Sequence, residues 1–317
     1  MSHDALGASG RVWIAGSANL DFVVRADHVP APGETVLGRD FATFPGGKGA
    51  NQAVACARAG AAETRMLLAL GEDDFAVPLE RSLREAGVGL DVVRCPDCAT
   101  GTAFICLADN AENAITVAPG ANARLAPTDL PPLTGADWLL LQLETPVETV
   151  AAYAQAAREQ GVRVALNAAP AQALEEGLLA TLDLLIVNEG ELAAIAGAQG
   201  SIADALRRLP VPAVAVTLGA CGSCARVGED FLLQPGFAVE AVDTTGAGDT
   251  FCGVLVAALA GGGDWPQALR RAAAAAALAC TRLGAQSSIP VAGEVDGFLR
   301  SSPHAAAPDA LAAHCGL

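Results

Sequence analysis

The interpretation of this 317-residue chain starts from residues 241–251, which read AVDTTGAGDTF. An apolar run at 250–259 follows and has the pattern of a buried helix. Gly246 and Gly248 can adopt positive φ and let a ligand approach the backbone, so we predict a glycine-rich turn that opens a helix. The unpaired N–H groups at such a helix N-terminus bind a phosphate or a developing oxyanion.

A carboxylate, Asp249, lies at the predicted start of this helix, beside the N–H groups of Gly246, Ala247 and Gly248. A base next to an anion hole suits phosphoryl transfer to an alcohol. The structural alternative is a glycine turn followed by a helix that Asp249 caps. An isolated G-x-G-D sequence favours that alternative, and the other motifs of the chain decide against it.

The composition limits the partners of the protein. Hydrophobic residues make up 52% of the chain, and the net charge is −16 with 19 Lys and Arg residues. This balance argues against nucleic acid or an anionic membrane as a partner. No apolar run is long enough to span a membrane, and residues 1–10 lack a signal-peptide pattern, so we expect a cytoplasmic protein.

The nine cysteines are scattered through apolar segments. Two C-x-x-C pairs, Cys95 with Cys98 and Cys221 with Cys224, each have the spacing of half a zinc site. Because the pairs lie far apart in the chain and in different predicted strands, we expect no zinc site. Neither pair opens a helix as a reactive dithiol does, so we expect no redox role either.

Strands and helices alternate in the sequence at 136–187. This alternation predicts an α/β fold, a doubly wound and mostly parallel central sheet flanked by helices, similar to a Rossmann fold. Ligands bind such sheets beyond the carboxyl ends of the strands, where we place Glu144, Asn167 and Asn188. The common nucleotide fingerprints are missing: a glycine follows Lys48 where a Walker A loop needs Ser or Thr, and no G-x-G-x-x-G follows the first strand.

Short alternating strands at about 19–44 and 90–118 have little helix between them. We expect them to form a small separate sheet, a lid over the site. Residues 11–300 then make one α/β domain, and 1–10 and 301–317 are expected to be flexible tails.

Polar residues of the first part of the chain suggest a sugar site. Asn19 and Asp21 lie two apart on a predicted extended segment, so they face the same side, and an amide beside a carboxylate suits sugar hydroxyls. The loop that begins at Gly46 and Gly47 offers backbone access and two donors, Lys48 and Asn51. The structural alternatives are a polar strand edge at Asn19 and Asp21 and an ordinary loop before a helix at Lys48 and Asn51.

Asn188 and Glu191 are three residues apart and lie on one face of a predicted helix. Their oxygens could hold hydrated Mg²⁺ on ATP, directly or through water. An N-cap box fits the same two residues equally well, and the two roles are compatible.

Seven motifs in this order resemble those of the ribokinase-type (PfkB) carbohydrate kinases, over residue 11 to about residue 300. They are G-S-x-N-x-D at 16–21, P-A-P-G-E-T-V at 30–36, G-G-K-G-A-N-Q-A at 46–53, L-Q-L-E at 141–144, N-x-x-E at 188–191, D-T-x-G-A-G-D-T-F at 243–251 and G-A-Q at 284–286.

The resemblance implies ATP-dependent phosphorylation of D-ribose at O5, giving ribose 5-phosphate and ADP. Asp249 would be the general base, and Gly246, Ala247 and Gly248 the anion hole. The positions that match sugar-binding residues are Asn19, Asp21, Gly46, Gly47, Lys48, Asn51, Glu144 and Asp249. Those that match nucleotide-binding residues are Asn188, Glu191, Thr217, Gly219 and Gly248, with Glu191 also assigned to Mg²⁺.

A monovalent cation is a further implication of the resemblance. K⁺ would be held mainly by backbone carbonyls of two loops, at Asp243, Thr245, Ala279, Arg282, Gly284 and Ser288. The family also implies a homodimer formed through the lid. Ala273, on a helix expected near adenine, is smaller than the polar residue often found there, which leaves the phosphate donor open.

Other substrates and other classes of protein remain as alternatives. The same chemistry could act on deoxyribose, fructose or a ribonucleoside. A non-catalytic sugar-binding protein should have lost Asp249 or the glycines, and this chain keeps both. An NAD-dependent oxidoreductase is disfavoured because the dinucleotide fingerprint is missing.

Overall fold

The computed structural model describes residues 10–108, 113–302 and 308–317, and in these residues thirteen strands form two sheets. The strands are β1 Arg11–Ala15, β2 Asn19–Ala26, β3 Arg39–Gly46, β4 Glu63–Gly71, β5 Gly89–Cys95, β6 Gly101–Ala108, β7 Asn113–Ala118, β8 Trp138–Leu141, β9 Arg163–Asn167, β10 Leu184–Asn188, β11 Ala213–Thr217, β12 Gly222–Val227 and β13 Asp230–Pro235. The α-helices are α1 Lys48–Arg58, α2 Ala76–Glu85, α3 Val147–Glu159, α4 Glu176–Leu179, α5 Glu189–Ala196, α6 Ile202–Arg208, α7 Ala247–Ala260, α8 Trp265–Ala279, α9 Ala292–Ser301 and α10 Pro308–Cys315.

The main sheet has nine strands in the order β13-β12-β11-β10-β9-β8-β1-β4-β5. Pairing is parallel from β11 to β5 and antiparallel in the β11, β12 and β13 meander. This confirms the predicted doubly wound sheet. The last two strands, β12 and β13, form an antiparallel hairpin.

The central strand β1 is buried on both faces, as expected of a parallel sheet covered by helices. Val12 and Ile14 belong to the core on one face, which includes residues of α1 and α7, while Trp13 and Ala15 belong to the core on the other face. Ile14 pairs with Met66 on one side and Leu140 on the other, and all three are fully buried. Because β1 pairs in parallel with β4 and β8, the carboxyl ends of these strands lie at the same edge of the sheet.

The second sheet, which we call the lid sheet, consists of β2, β3, β6 and β7 in the order β3-β2-β6-β7. It confirms that a small separate sheet exists, but the prediction for its members was partly wrong. The segment at 90–93 belongs to β5, which pairs in parallel with β4 at the edge of the main sheet. Helix α2 lies between β4 and β5 in the chain and provides the crossover that a parallel pair needs. The sequence showed only a short alternating strand, a pattern that fits either sheet.

The prediction of a flexible tail after residue 300 was also wrong for residues 308–317. These residues form α10, and Leu311 and Cys315 are buried in the same core as Cys224 of β12. The apolar residues of this short helix are dispersed among alanines, so the sequence carried little sign of a packed face. The other tail, 1–10, lies outside the described residues except for Gly10, which is buried.

The two C-x-x-C pairs lie at opposite ends of the main sheet, because Cys95 ends β5 and Cys224 is in β12. All nine cysteines are free thiols. Within the described ranges, no helix has the length and apolar character that crossing a membrane requires.

Leu311→Ala should lower the free energy of unfolding by about 2–4 kcal/mol, because it removes a buried side chain from a packed core. Leu317→Ala is the matched control, since Leu317 is 45% exposed and its truncation should change stability little. Chemical denaturation of both variants measures the difference. Equal stabilities for the two variants would contradict the packed position of α10.

Candidate active site

The contact between α1 and α7 places the carboxylate of Asp249 among amide donors. Its Oδ2 accepts from Asn51 Nδ2 at 2.9 Å, and its Oδ1 accepts from Gln52 Nε2 at 2.9 Å. Asp249 is 8% exposed, so this carboxylate is held in a defined orientation at the start of α7. The close approach of the helices needs Gly253, because a Cβ there would lie 2.5 Å from the carbonyl oxygen of Gln52.

The turn before α7 has the geometry that the glycines predicted. Gly246 has φ of 75°, and a Cβ on it would lie 3.1 Å from the Cα of Ala285. A Cβ on Gly248 would meet nothing within 4 Å, so this position faces open space. The N–H of Ala247 donates to the carbonyl of Thr244 at 3.2 Å, so within the predicted anion hole this donor already has a partner.

The lid sheet brings Asn19 and Asp21 over the same region, and the glycine loop lies directly on them. A Cβ on Gly46 would lie 2.1 Å from Asp21 Oδ2, and one on Gly47 would lie 2.7 Å from the backbone nitrogen of Asn19. Gly47 also has φ of 88°. Both glycines are therefore required for the loop to pack against β2.

Carboxylates of like charge gather at this end of the sheet. Burial, with the charges of Glu144 and Asp249, raises the pKa of Asp21 to about 7. Glu144 accepts from the Ser17 hydroxyl and, at 3.1 Å, from the backbone N–H of Lys48. The pKa of Lys48 is raised, chiefly by the charge of Asp249, so its ammonium offsets part of this negative charge.

A polar cavity of about 140 Å³ lies beside Asp249. Its lining includes Lys48, Asn188, Glu191 and Gly246. Asn188 and Glu191 form a reciprocal N-cap box on α5, with both hydrogen bonds at 2.8 Å. Burial raises the pKa of Glu191. The N-cap interpretation is thus correct, and the same residues face the cavity.

A second, more apolar cavity of about 470 Å³ adjoins the first, since Thr217 and Gly248 line both. Gly219 and Ala273 also line it, as do Phe237, Phe251 and further small residues of α8. The five predicted nucleotide-binding residues therefore line these two adjoining cavities, Thr217, Gly219 and Gly248 in the apolar one and Asn188, Glu191, Thr217 and Gly248 in the polar one, which Asp249 also lines. A polar end next to an apolar end fits a phosphate chain joined to a base.

The two loops predicted to hold a monovalent cation are joined through Asp243. Its carboxylate accepts from the backbone N–H of Thr245 and from that of Gly284, both at 2.9 Å. The Ala279 carbonyl accepts from the N–H of Arg282, whose guanidinium pairs with Glu294. Ser288 is buried and donates to the carbonyl of Ala285.

Sequence reasoning missed the buried amides that hold the site together. Asn122 Nδ2 donates to Asn19 Oδ1 at 2.8 Å, and its own oxygen accepts from the N–H of Ala18. Gln52 and Gln142 form a second set behind Asp249. Gln52 and Gln142 belong to the motifs at 46–53 and 141–144. The sequence does not distinguish them from amides on the surface, whereas the fold shows that both are buried.

The fold is that of an α/β protein whose parallel strands end beside a polar cavity at the N-terminus of α7, an arrangement that suits phosphate binding. Residues 10–292 match the profile of the pfkB family of carbohydrate kinases. The chain belongs to this family, and it is a kinase.

Relatives and solved structures agree with the family. Bacillus subtilis ribokinase is 39% identical over 293 residues, which are 91% of this chain and 99% of that protein. Haemophilus influenzae ribokinase is 38% identical over 299 residues, with 90% and 97% covered. The structure of Arabidopsis thaliana ribokinase complexed with ribose and ATP has a TM-score of 0.85 at 33% identity and covers 92% of this chain and 99% of its own.

Asp21→Asn should change how stability depends on pH. The ordinary pKa of this carboxyl is 3.8, and the folded protein raises it to about 7. The contribution of protonated Asp21 to stability is therefore complete below pH 3.8 and is lost as the pH rises to 7. Asn cannot ionise, so the Tm of the variant minus that of the parent protein should grow between pH 5 and pH 7 and stay constant above.

Thermal unfolding of both proteins at pH 5, 6, 7 and 8 measures this difference. Asp27→Asn is a suitable control, because its side chain is 79% exposed and removal of one surface charge should give an offset that varies little with pH. A gap for Asp21→Asn that stays flat across the series would show that Asp21 is not buried among like charges.

Proposed function

We propose that the protein transfers the γ-phosphoryl group of ATP to O5 of D-ribose. The observation that carries this proposal is the position of Asp249, which lines the polar cavity at the start of α7 and is near enough to Asp21 of the lid sheet for its charge to help raise the pKa of Asp21. The similarity to ribokinases, one of which is complexed with ribose and ATP, supports ribose as the acceptor and ATP as the donor.

In this proposal Asp249 takes the proton of the attacking hydroxyl, while hydrogen bonds from Asn51 and Gln52 hold its carboxylate in place. The N–H groups at the start of α7 stabilise the charge of the transferred group, with Gly246 and Gly248 as the main donors. Ala247 would exchange its hydrogen bond to Thr244 for one to the phosphoryl group. Lys48 adds a positive charge in the same cavity.

The sugar would bind between the lid sheet and α1. Asp21, Asn19 and Glu144 provide several hydrogen-bonding groups near one another, which suits a polyhydroxylated ligand. Asn51 Oδ1 is buried, and within the described residues it has no hydrogen-bond partner. A sugar hydroxyl that donates to this oxygen would remove the cost of burying it unpaired.

Residues that suit Mg²⁺ line the polar cavity. Glu191 and Asp249 both face it, and carboxylate oxygens are the ligands that Mg²⁺ prefers. One oxygen of Glu191 accepts from the N–H of Asn188, so a contact through water fits better than direct coordination by both oxygens. Mg²⁺ bound with ATP would neutralise charge on the β- and γ-phosphates.

The joined loops at Asp243 and Gly284 suit a monovalent cation. N–H groups occupy both oxygens of the Asp243 carboxylate, so peptide carbonyls of these loops would bind K⁺. The hydrogen bonds of Asp243 already keep the loops together beside Gly246. K⁺ would make this turn more rigid and so pre-organise the anion hole.

The lid sheet carries an exposed apolar surface that supports a homodimer. Phe41, Phe104 and Ile115 are 66%, 54% and 54% exposed, and the ring of Phe22 packs against those of Phe41 and Phe104. An exposed apolar patch of this kind marks an interaction surface on a soluble protein. A second copy of the chain would bury it.

Asp249→Asn should lower kcat with ATP and D-ribose by about 10²–10⁴-fold, because the amide cannot accept the hydroxyl proton. ADP release measures the rate, with deoxyribose, fructose and ribonucleosides run beside ribose and with K⁺ present or replaced. Asp91→Asn, a change at the far edge of the main sheet, should leave the rate unchanged.

The outcomes of this assay separate the alternatives. Turnover best with another acceptor would keep the mechanism and change the substrate. A folded protein that binds ribose but releases no ADP with any acceptor would overturn the kinase mechanism in favour of a sugar-binding protein.

Gly248→Val should reduce kcat/KM by about 100-fold or more, because the side chain would enter the space shared by the two cavities and displace the phosphate chain. Stability should hardly change, since no atom lies near the added Cβ. Gly293→Val is the matched control. Gly293 is also the second residue of a helix, α9, with open space at its Cβ, but it lines neither cavity.

Kinetics and thermal unfolding of the two glycine variants provide the measurement. Comparable activity in both variants would show that the phosphate chain does not occupy the space beside Gly248. A loss of activity in Gly248→Val that is matched by a loss of stability would point to misfolding instead.

A further inference from the structure

The amide of Gln52 is fully buried and uses both of its ends. Its Nε2 donates to Asp249 Oδ1 at 2.9 Å and to Asn167 Oδ1 at 3.0 Å, and its Oε1 accepts from Gln142 Nε2 at 2.7 Å. Gln52 therefore connects α1 to the carboxyl ends of β8 and β9 and to the first turn of α7.

A backbone group determines the direction of this network. The carbonyl of Ile186 in β10 can only accept, and it receives a hydrogen bond from Asn167 Nδ2 at 3.2 Å. The side-chain oxygen of Asn167 must then face Gln52, and Gln52 must donate to it through Nε2. Since both hydrogens of Nε2 lie on the same nitrogen, the second one is directed at Asp249.

The reversed orientation of Gln52 is excluded by the same contacts. Its Oε1 would face Asn167 Oδ1 and the carboxylate of Asp249, so acceptors would meet acceptors in a buried site. Gln142 Nε2 would then face an amide nitrogen. The network thus has one favourable arrangement, in which Gln52 donates to Asp249.

We propose that Gln52 is a positioning residue for phosphoryl transfer: it fixes the rotation of the Asp249 carboxylate so that the base is already oriented when the sugar binds. This inference rests on the proposed function, in which Asp249 is the base. Asn51 restrains the other carboxylate oxygen, and the two donors together prevent the carboxylate from turning about its bond to Cβ. Neither side chain needs to touch the nucleotide for this purpose.

The test compares Gln52→Met with Gln142→Met, both of which replace a buried amide by an apolar side chain of similar length. Gln142 touches Gln52 but not Asp249, and its loss leaves both donations of Gln52 in place. We expect both variants to lose thermal stability. Only Gln52→Met should lose kcat, by about 10- to 100-fold, because a misoriented base slows the chemical step.

A positioning role also predicts how the kinetic constants divide. The KM values for ATP and for the sugar should change less than about threefold in Gln52→Met, since the binding surfaces remain. A loss of kcat below tenfold in Gln52→Met, or an equal loss in Gln142→Met, would overturn the inference and leave Gln52 with a structural role only.

A second measurement does not depend on activity. Unfolding of Gln52→Met, Asp249→Ala and the double variant forms a thermodynamic cycle. If Gln52 restrains Asp249, the unfolding equilibrium constant of the double variant should differ by about fivefold or more from the value expected when the two single effects are independent. A smaller difference would show that Gln52 does not restrain Asp249. A parent protein without turnover would refute the proposed function, while this cycle would still decide whether Gln52 holds Asp249.

Discussion

The site depends on the close packing of α1 against α7. Helix α1 carries Lys48, Asn51 and Gln52, and α7 begins at the glycine turn that precedes Asp249. Gly253 permits this approach, since a Cβ there would overlap the backbone of α1. Two segments about 200 residues apart in sequence thereby form the candidate site together.

Electrostatics gives this arrangement its chemical character. Burial chiefly, and then the negative charges of Glu144 and Asp249, make ionised Asp21 unfavourable and so raise its pKa. Lys48 and the buried amides offset part of that cost by donating to the carboxylates or by supplying opposite charge. This local cost to stability lies where we propose that the sugar hydroxyl and the phosphate meet.

The positions of the two cavities support the proposal that the turn before α7 contacts both the sugar and the nucleotide. Gly248 and Thr217 line the small polar cavity and the larger apolar one, so the turn at the start of α7 lies between them. The conformation of Gly246, the hydrogen bonds of Asp243 and the packing of Ala285 all act on this short segment. This segment is therefore held from several sides where it borders both cavities, and in it Gly248 has open space at its Cβ position.

The sequence by itself determined the alternation of strands and helices, the glycine turn before α7 and the family. Each of these is indicated by a short run of neighbouring residues, so no knowledge of distant contacts is needed. It misassigned β5 to the lid sheet and the α10 segment to a flexible tail, because a short alternating strand and an alanine-rich helix carry no mark of their partners. Only the tertiary structure decided which amides face Asp249. Burial and the acceptor at Ile186 impose that choice, and neither is encoded at Gln52 alone.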